Sequence, residues 1–200
     1  MIIIGASGHA KVVLNIAKKN NIDILGIYDD NPNIEKLNNI TVFHHLSEIP
    51  KESEVIFAIG NNKIRKKISE TYLSLKIQTL IHPKSVIDST VIIGEGSVVM
   101  ASVTINNSSL IGNHCIINTA SSIDHDCMID DFVHISPGAV LCGGVKVGTG
   151  TQIGASAVII QNVKIGKWVT IGAGAVILKD IADYSIVVGN PGKLIKYNDK

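Results

Sequence analysis

Ile123-Asp124-His125-Asp126-Cys127 sets a histidine between two carboxylates. Histidine titrates near neutrality, which suits it to general base work. A carboxylate on one ring nitrogen fixes the tautomer and stabilises the imidazolium. Either Asp124 or Asp126 could serve, and spacing does not choose between them. Such a base takes a proton from an attacking amine or hydroxyl, a contribution of about 10²–10⁴-fold in rate. No Ser or Cys is placed as an activated nucleophile beside it, so direct transfer is expected. A second candidate is Gly5-Ala6-Ser7-Gly8-His9, between an apolar strand and a helix. Backbone N–H groups at a helix start bind anions, and glycine lets a phosphate approach. Asp29-Asp30 and Gly60-Asn61-Asn62 end two further strands, and strand ends of a parallel sheet meet at one ligand-binding edge. A metal reading must be weighed for His114, Cys115, His125, Asp126, Cys127 and His134. Cys115 and Cys127 fall in a small inward slot of the repeat described next and read as reduced core residues, so no metal is expected.

Two kinds of element must position these residues. Residues 1–82 alternate strand and helix, the pattern of a parallel α/β sheet. Strands are expected at Met1–Ile4, Ile22–Tyr28, Glu54–Ile59 and Lys76–Ile81, with helices at Ala10–Asn20 and Lys63–Ser74. Asn31-Pro32-Asn33 is a turn, and His82-Pro83 marks the boundary. Beyond it, every sixth residue from Ile81 to Ile177, seventeen positions in all, is Ile, Leu or Val. If about a third of residues were of these types, chance would produce such a run with odds on the order of one in 10⁸. Four residues after each, through Ala175, stands Ser, Val, Cys, Thr or Ala. A fixed six-residue period denotes a parallel β-solenoid. Gly, Asn and Asp just after many aliphatic positions are expected to serve the tight corners. With eighteen residues per coil, Asn107 and Gly143 stack on either side of His125, at about 4.8 Å per strand. Gly143-Gly144 is then either the wall of a groove or an ordinary corner.

Composition narrows the classes further. Net charge is +1, which offers no field for nucleic acid. Apolar residues make up 46% and aromatics 4%, so the apolar content is aliphatic and favours strands. No run is long enough for a transmembrane helix, and Met1–Gly5 lacks the features of a signal peptide. Three cysteines cannot all pair, consistent with a reduced, cytoplasmic setting.

The hexad region resembles the left-handed parallel β-helix of the hexapeptide-repeat acyltransferases. That resemblance implies three hexads per coil, homotrimers, and acyl-CoA bound between subunits. The whole chain resembles a narrower family, the nucleotide-sugar acetyltransferases of the PglD/NeuD type. The stretches that carry it are GASGHAKVV, YDD, AIGNNKIRKKI, IINTASSIDHDCMIDDFVHISPGA and GNPGK. It implies a Rossmann-like nucleotide-sugar-binding domain at 1–82 and a β-helix acyltransferase domain with a short tail at 83–200. It implies His125 as catalytic base, with Asp126 where some members carry Glu. It places acetyl-CoA contacts at His134, Ala155 and Ala173. It places nucleotide-sugar contacts at Ser7, Gly8, His9, Asp29, Asp30 and Gly60. Asn118 could meet the sugar, and Lys193 could lie near CoA phosphates. The expected activity is acetyl-CoA-dependent N-acetylation of a nucleotide-linked 4-amino-deoxysugar. Rivals are a sialic acid O-acetyltransferase, a γ-carbonic-anhydrase-like metalloprotein, and a non-catalytic nucleotide-sugar-binding subunit.

Overall fold

A computed structural model describes residues 1–198; residues 199 and 200, the end of the expected 83–200 domain, lie outside the described residues. The N-terminal lobe is built from β1 (Ile2–Ile4), α1 (Gly8–Lys19), β2 (Gly26–Tyr28), β3 (Lys36–Leu37), β4 (Ile40–Phe43), β5 (Glu54–Phe57), α2 (Asn62–Thr71) and β6 (Lys76–Ile77). Sheet order is β3-β4-β2-β1-β5-β6. The central strand β1 pairs in parallel with β2 and β5. Both its faces are covered, which is why it reads as an unbroken run of isoleucine. Ala10, Val13, Ile16 and Ala17 form the buried stripe of α1, whereas Val12 stays 37% exposed.

Several boundaries differ from the sequence expectation. The second strand is only Gly26–Tyr28, α1 begins at Gly8, and α2 ends at Thr71. The hairpin β3–β4 was not anticipated; its turn uses Asn38 and Asn39, both at positive φ. The expected strand Lys76–Ile81 divides in two. Lys76–Ile77 joins β5 in the lobe, while Leu80–Ile81 pairs with Val98–Val99 as the first strand of the solenoid.

The rest is a parallel β-solenoid of two-residue strands, one every six residues. Its three faces are sheets of 8, 6 and 5 strands. Partners lie eighteen residues apart, as in Ser122↔Val140 and Ile123↔Leu141. The second residue of each strand points inward. From Ile105 to Ile177 every such aliphatic is at most 3% exposed, and Cys115, Cys127, Ala139 and Ala157 fill the small slots between them. In the first coil Ile81 is 38% exposed, because no coil covers it.

The corners correct one expectation. Gly94, Gly148 and Gly154 do not take left-handed backbone. A Cβ there would stand 2.5, 2.7 and 2.5 Å from backbone of the next coil, so close approach requires these glycines. The left-handed residue comes two places later, and His114, Asp126, Phe132 and Trp168 occupy it as readily as Gly144. The lobe seats α1 on one solenoid face, where Val98, Met100 and Ile116 share a core cluster with Ala10 and Val13. The three corners therefore differ: one carries His125, one meets α2, and one carries Ala155 and Ala173.

Candidate active site

His125 and Asp126 form the turn of one corner, with Asp126 at φ +59°. The Asp126 Oδ2 lies 2.7 Å from His125 Nδ1. An ionised carboxylate only accepts, so Nδ1–H donates and Nε2 keeps its lone pair facing outward. Asp124 has a different task. Its Oδ1 accepts from Asn106 Nδ2 at 2.8 Å and from the His125 backbone N–H at 2.9 Å. The bond to Asp126, and after it the charge of Asp124, raise the His125 pKa above its ordinary value. Asn106 and the His125 N–H hold Asp124 below the usual carboxylate range.

One coil on, a Cβ at Gly143 would stand 2.5 Å from His125 Cε1 and 2.6 Å from Nε2. The Nε2 end of the ring thus sits over Gly143, and any side chain there would force the ring to move. Gly144 donates its N–H to the His125 carbonyl at 2.9 Å, and Gly143 accepts from the Asn162 N–H at 2.9 Å. Among the described residues the Gly143 N–H meets no acceptor. A cleft of about 390 Å³ opens here, lined by Asp124, His125, Asp126, Gly143, Gly144 and Asn162 among others. The His125 side chain is 54% exposed, so one chain by itself leaves the ring open to water.

The lobe holds a second cavity, of about 150 Å³, bordered by Gly5, Ser7, Tyr28, Asp29, Asp30 and Ile59. Ser7 caps α1 without a side-chain bond, and the first turn carries no acidic residue. The open N–H groups and the helix dipole thus remain available to an anion. The two aspartates diverge. Asp29 accepts the Ala6 N–H at 2.6 Å and the Asn31 N–H at 2.9 Å, which shapes the loop. Asp30 is exposed at the cavity with no such engagement. Gly5 has φ +107° and leaves 2.8 Å from its would-be Cβ to the Ala58 carbonyl, so only glycine fits.

His134 and Asn118 meet on the lobe-facing side of the solenoid, with Nε2 and Nδ2 3.1 Å apart. The amide NH₂ donates, so His134 is neutral with Nε2 as acceptor. Burial first, then the Arg65 charge, hold it down to about 4. His9 approaches from α1. Burial, His134 and Arg65 bring it to about 3, and its buried Nε2 has no hydrogen-bond partner. His9, Asn118 and His134 thus gather at the seam between lobe and solenoid. Ala155 and Ala173 are exposed and stack on the third corner, joined by the Gly174 N–H to the Ala155 carbonyl at 2.8 Å. Within one chain they lie on a different edge from His125. Lys193 is exposed in the final antiparallel hairpin. Cys115 and Cys127 are core residues, their thiols pushed up to about 12 and about 11 by burial. Among the described residues no three His, Cys, Asp or Glu converge to hold a metal ion.

Residues 1–72 match the PglD N-terminal domain family, and residues 144–179 match the bacterial transferase hexapeptide repeats. The chain superposes on a histidine-to-asparagine variant of perosamine N-acetyltransferase from Caulobacter crescentus, in complex with CoA and GDP-perosamine. Identity is 34% and the TM-score 0.94, covering 98% of this chain and 96% of that one. The acetyltransferase domain of PglB from Neisseria gonorrhoeae FA1090, in complex with acetyl coenzyme A, is 40% identical at a TM-score of 0.91, covering 97% and 98%. This chain belongs to the PglD-type hexapeptide-repeat acetyltransferases. WeeI from Acinetobacter baumannii AYE is 29% identical at a TM-score of 0.88, over 97% and 98%. A curated relative, uncharacterized protein L142 of Acanthamoeba polyphaga mimivirus, is 37% identical over 99 residues; the chain spans about a fifth (20%) of its length.

In this PglD-type chain the sequence motifs pointed to His125 and to the glycine loop before α1, but missed the residues that hold them. Asn106 was visible only as the residue eighteen before Asp124. Inside AIGNNKIRKKI the sequence marks Asn62 only as part of a strand-end loop and Arg65 only as one charge of the expected helix. Arg65 is in fact 1% exposed.

Proposed function

We propose that this chain is an acetyl-CoA-dependent N-acetyltransferase of a nucleotide-linked 4-amino-deoxysugar. The observation that carries the reading is the His125–Asp126 pair lying on Gly143, with Nε2 free and facing an open cleft. The nucleotide takes the lobe cavity, its phosphates at the N-terminus of α1 and Asp30 offering a free carboxylate. His9, Asn118 and His134 at the seam then face the sugar, and His134 borders the acyl donor.

His125 Nε2 accepts the proton as the amine nitrogen bonds to the thioester carbonyl carbon. Asp126 stabilises the imidazolium that forms. The free Gly143 N–H is placed to donate to the oxyanion, while Gly144 is already engaged. Collapse breaks the C–S bond, and the imidazolium returns the proton to the departing CoA thiolate. Acetyl-CoA is a co-substrate here, and no metal enters.

Because Ala155 and Ala173 lie on another edge than His125, their proposed contacts to CoA require a second copy. A homotrimer with sites between subunits supplies it. Three free cysteines fit a reducing, cytoplasmic setting. Among the described residues no helix is long and apolar enough to cross a membrane.

The test is CoA release across a panel of GDP-, UDP- and dTDP-linked 4-amino-sugars, with sialic acids as a parallel arm. Turnover confined to an amino-sugar nucleotide supports the reading. Turnover confined to sialic acid, or none with any acceptor, refutes it.

A further inference from the structure

The seam holds one group that the acid–base chemistry does not use. Arg65 is buried, and no carboxylate among the described residues pairs with it. All five of its N–H donors point at oxygen. Nε donates to the His114 carbonyl at 2.9 Å. Nη2 donates to the Phe132 carbonyl at 3.0 Å and to Asn62 Oδ1 at 2.8 Å. Nη1 donates to the Ile59 carbonyl at 2.8 Å and the Gly60 carbonyl at 3.3 Å. Asn62 in turn donates to the Gly150 carbonyl at 3.1 Å.

His114, Phe132 and Gly150 are the same corner position on three successive coils. Corner backbone leaves this carbonyl unbonded by the next coil, whereas its neighbour is bonded, as Asn113 is by the Phe132 N–H at 2.8 Å. A fourth in the series, the Trp168 carbonyl, is capped by Asn198. Residues three apart on a helix share a face and rise about 4.5 Å, close to the roughly 4.8 Å between coils. Asn62 and Arg65 therefore read consecutive rungs. The remaining arm of the guanidinium holds Ile59 and Gly60, the loop that borders the nucleotide cavity.

We propose that Arg65 is a positioning residue for the acceptor: with Asn62 it registers the nucleotide-binding loop against the solenoid rungs, so that a sugar held in the lobe meets the solenoid at one height. The proposal rests on the acetyl-transfer reading above. An apolar side chain would avoid the desolvation cost of a charge but would leave these carbonyls without a donor, so the guanidinium is what ties the lobe loop to the rungs. Its field has a second effect. The titratable groups facing Arg65 are His9 from α1, His134 and His114 from the solenoid, and the Cys115 thiol. Asp131 faces His114 and opposes the effect there. All three histidines are held below their ordinary pKa by burial first and by Arg65 in addition, so His9 and His134 at the seam meet an acceptor as neutral rings.

The experiment compares Arg65→Met, Arg65→Lys and Asn62→Ala with the wild type in the full chain. Steady-state kinetics use the best acceptor from the panel and acetyl-CoA; calorimetry uses GDP, UDP and dTDP alone. Loss of hydrogen bonds to a buried charge is expected to raise the acceptor KM of Arg65→Met about tenfold or more, with the acetyl-CoA KM within about twofold. Lysine keeps the charge but not the five-donor fork, so Arg65→Lys does not rescue the KM. Asn62→Ala moves the same ratio less. An unchanged acceptor KM, an equal rise for both substrates, or full rescue by lysine overturns the proposal. If Arg65→Met does not fold, the KM ratio of Asn62→Ala decides. If the wild type acetylates nothing in the panel, the acetyl-transfer reading fails. Diphosphate affinity then decides the positioning claim: weakening by about tenfold in Arg65→Met sustains it, and unchanged affinity or no binding to the wild type overturns it.

Discussion

Two corners of the same solenoid do opposite things with the same turn. At the first, His125 and Asp126 project into water, and the backbone beneath them is the ordinary repeat. At the second, His114 and Phe132 stack on one another at 5.1 Å and lie under α2, and their carbonyls are claimed by Arg65. The exposed corner makes its site from neighbours in sequence, plus glycine one coil away. The buried corner makes its contacts between residues 49 and 67 positions apart. Local chemistry on a rigid edge can be read from a motif; a seam depends on which surfaces meet.

The contrast can be broken most strongly at His125. His125→Ala is expected to lower kcat by about 10²–10⁴-fold, measured by CoA release, with the oligomeric state by light scattering unchanged. Equal turnover would remove the base from the mechanism. Next comes Gly143→Ala. Its methyl would sit 2.5 Å from the His125 ring, which must tilt away, and kcat is expected to fall on the order of 10²-fold with little change in nucleotide binding. Retained kcat would mean that the ring position seen here is not the working one.

A smaller effect separates the two aspartates. A general base works deprotonated, so under the proposed mechanism kcat/KM is expected to fall as pH drops through the His125 pKa. Asp126 raises that pKa, hence the acid limb lies above the ordinary histidine value, and Asp126→Asn shifts it to lower pH. Asp124→Asn shifts it in the same direction by less. A larger shift from Asp124 would reverse their roles.

The smallest effect concerns the seam. His9 and His134 are neutral when folded, at about 3 and about 4, but titrate near 6.5 when unfolded. Between those values the unfolded chain binds more protons, so stability falls as pH drops below 6.5. The melting temperature should decline from pH 7 to pH 4, and His9→Gln should flatten part of the slope. An unaltered slope would show that His9 charges freely in the folded protein.

Legibility tracks periodicity. Seventeen aliphatics in register named the solenoid, because each inward position faces the same confined interior. The same period predicted that Gly143 flanks His125. The strand–helix alternation placed Lys76–Ile81 in one piece where the chain passes from sheet to solenoid, and the period misjudged the corner glycines, which answer to the next coil rather than to φ. It also left the partner of His125 open. Asp124 and Asp126 are equivalent by spacing, and only the turn geometry sends Oδ2 of one to Nδ1 while Asn106 occupies the other. Within one chain the coil places Ala155 and Ala173 on another edge than His125, which the period alone does not reveal as a need for a second copy.

By itself, then, the sequence determined the repeat and its inward residues, and it located a histidine between two carboxylates and a glycine loop at a helix start, because period and local backbone decide those. Only the tertiary structure decided that Asp126 bonds the His125 ring, that Asp29 shapes a loop while Asp30 stays free, and that Arg65 is buried. The first depends on which neighbour the turn geometry brings to the ring, and the others on partners distant in sequence, Ala6 for Asp29 and the carbonyls of His114 and Phe132 for Arg65. A guanidinium on a charged helix looks solvated until a second surface brings carbonyls to it.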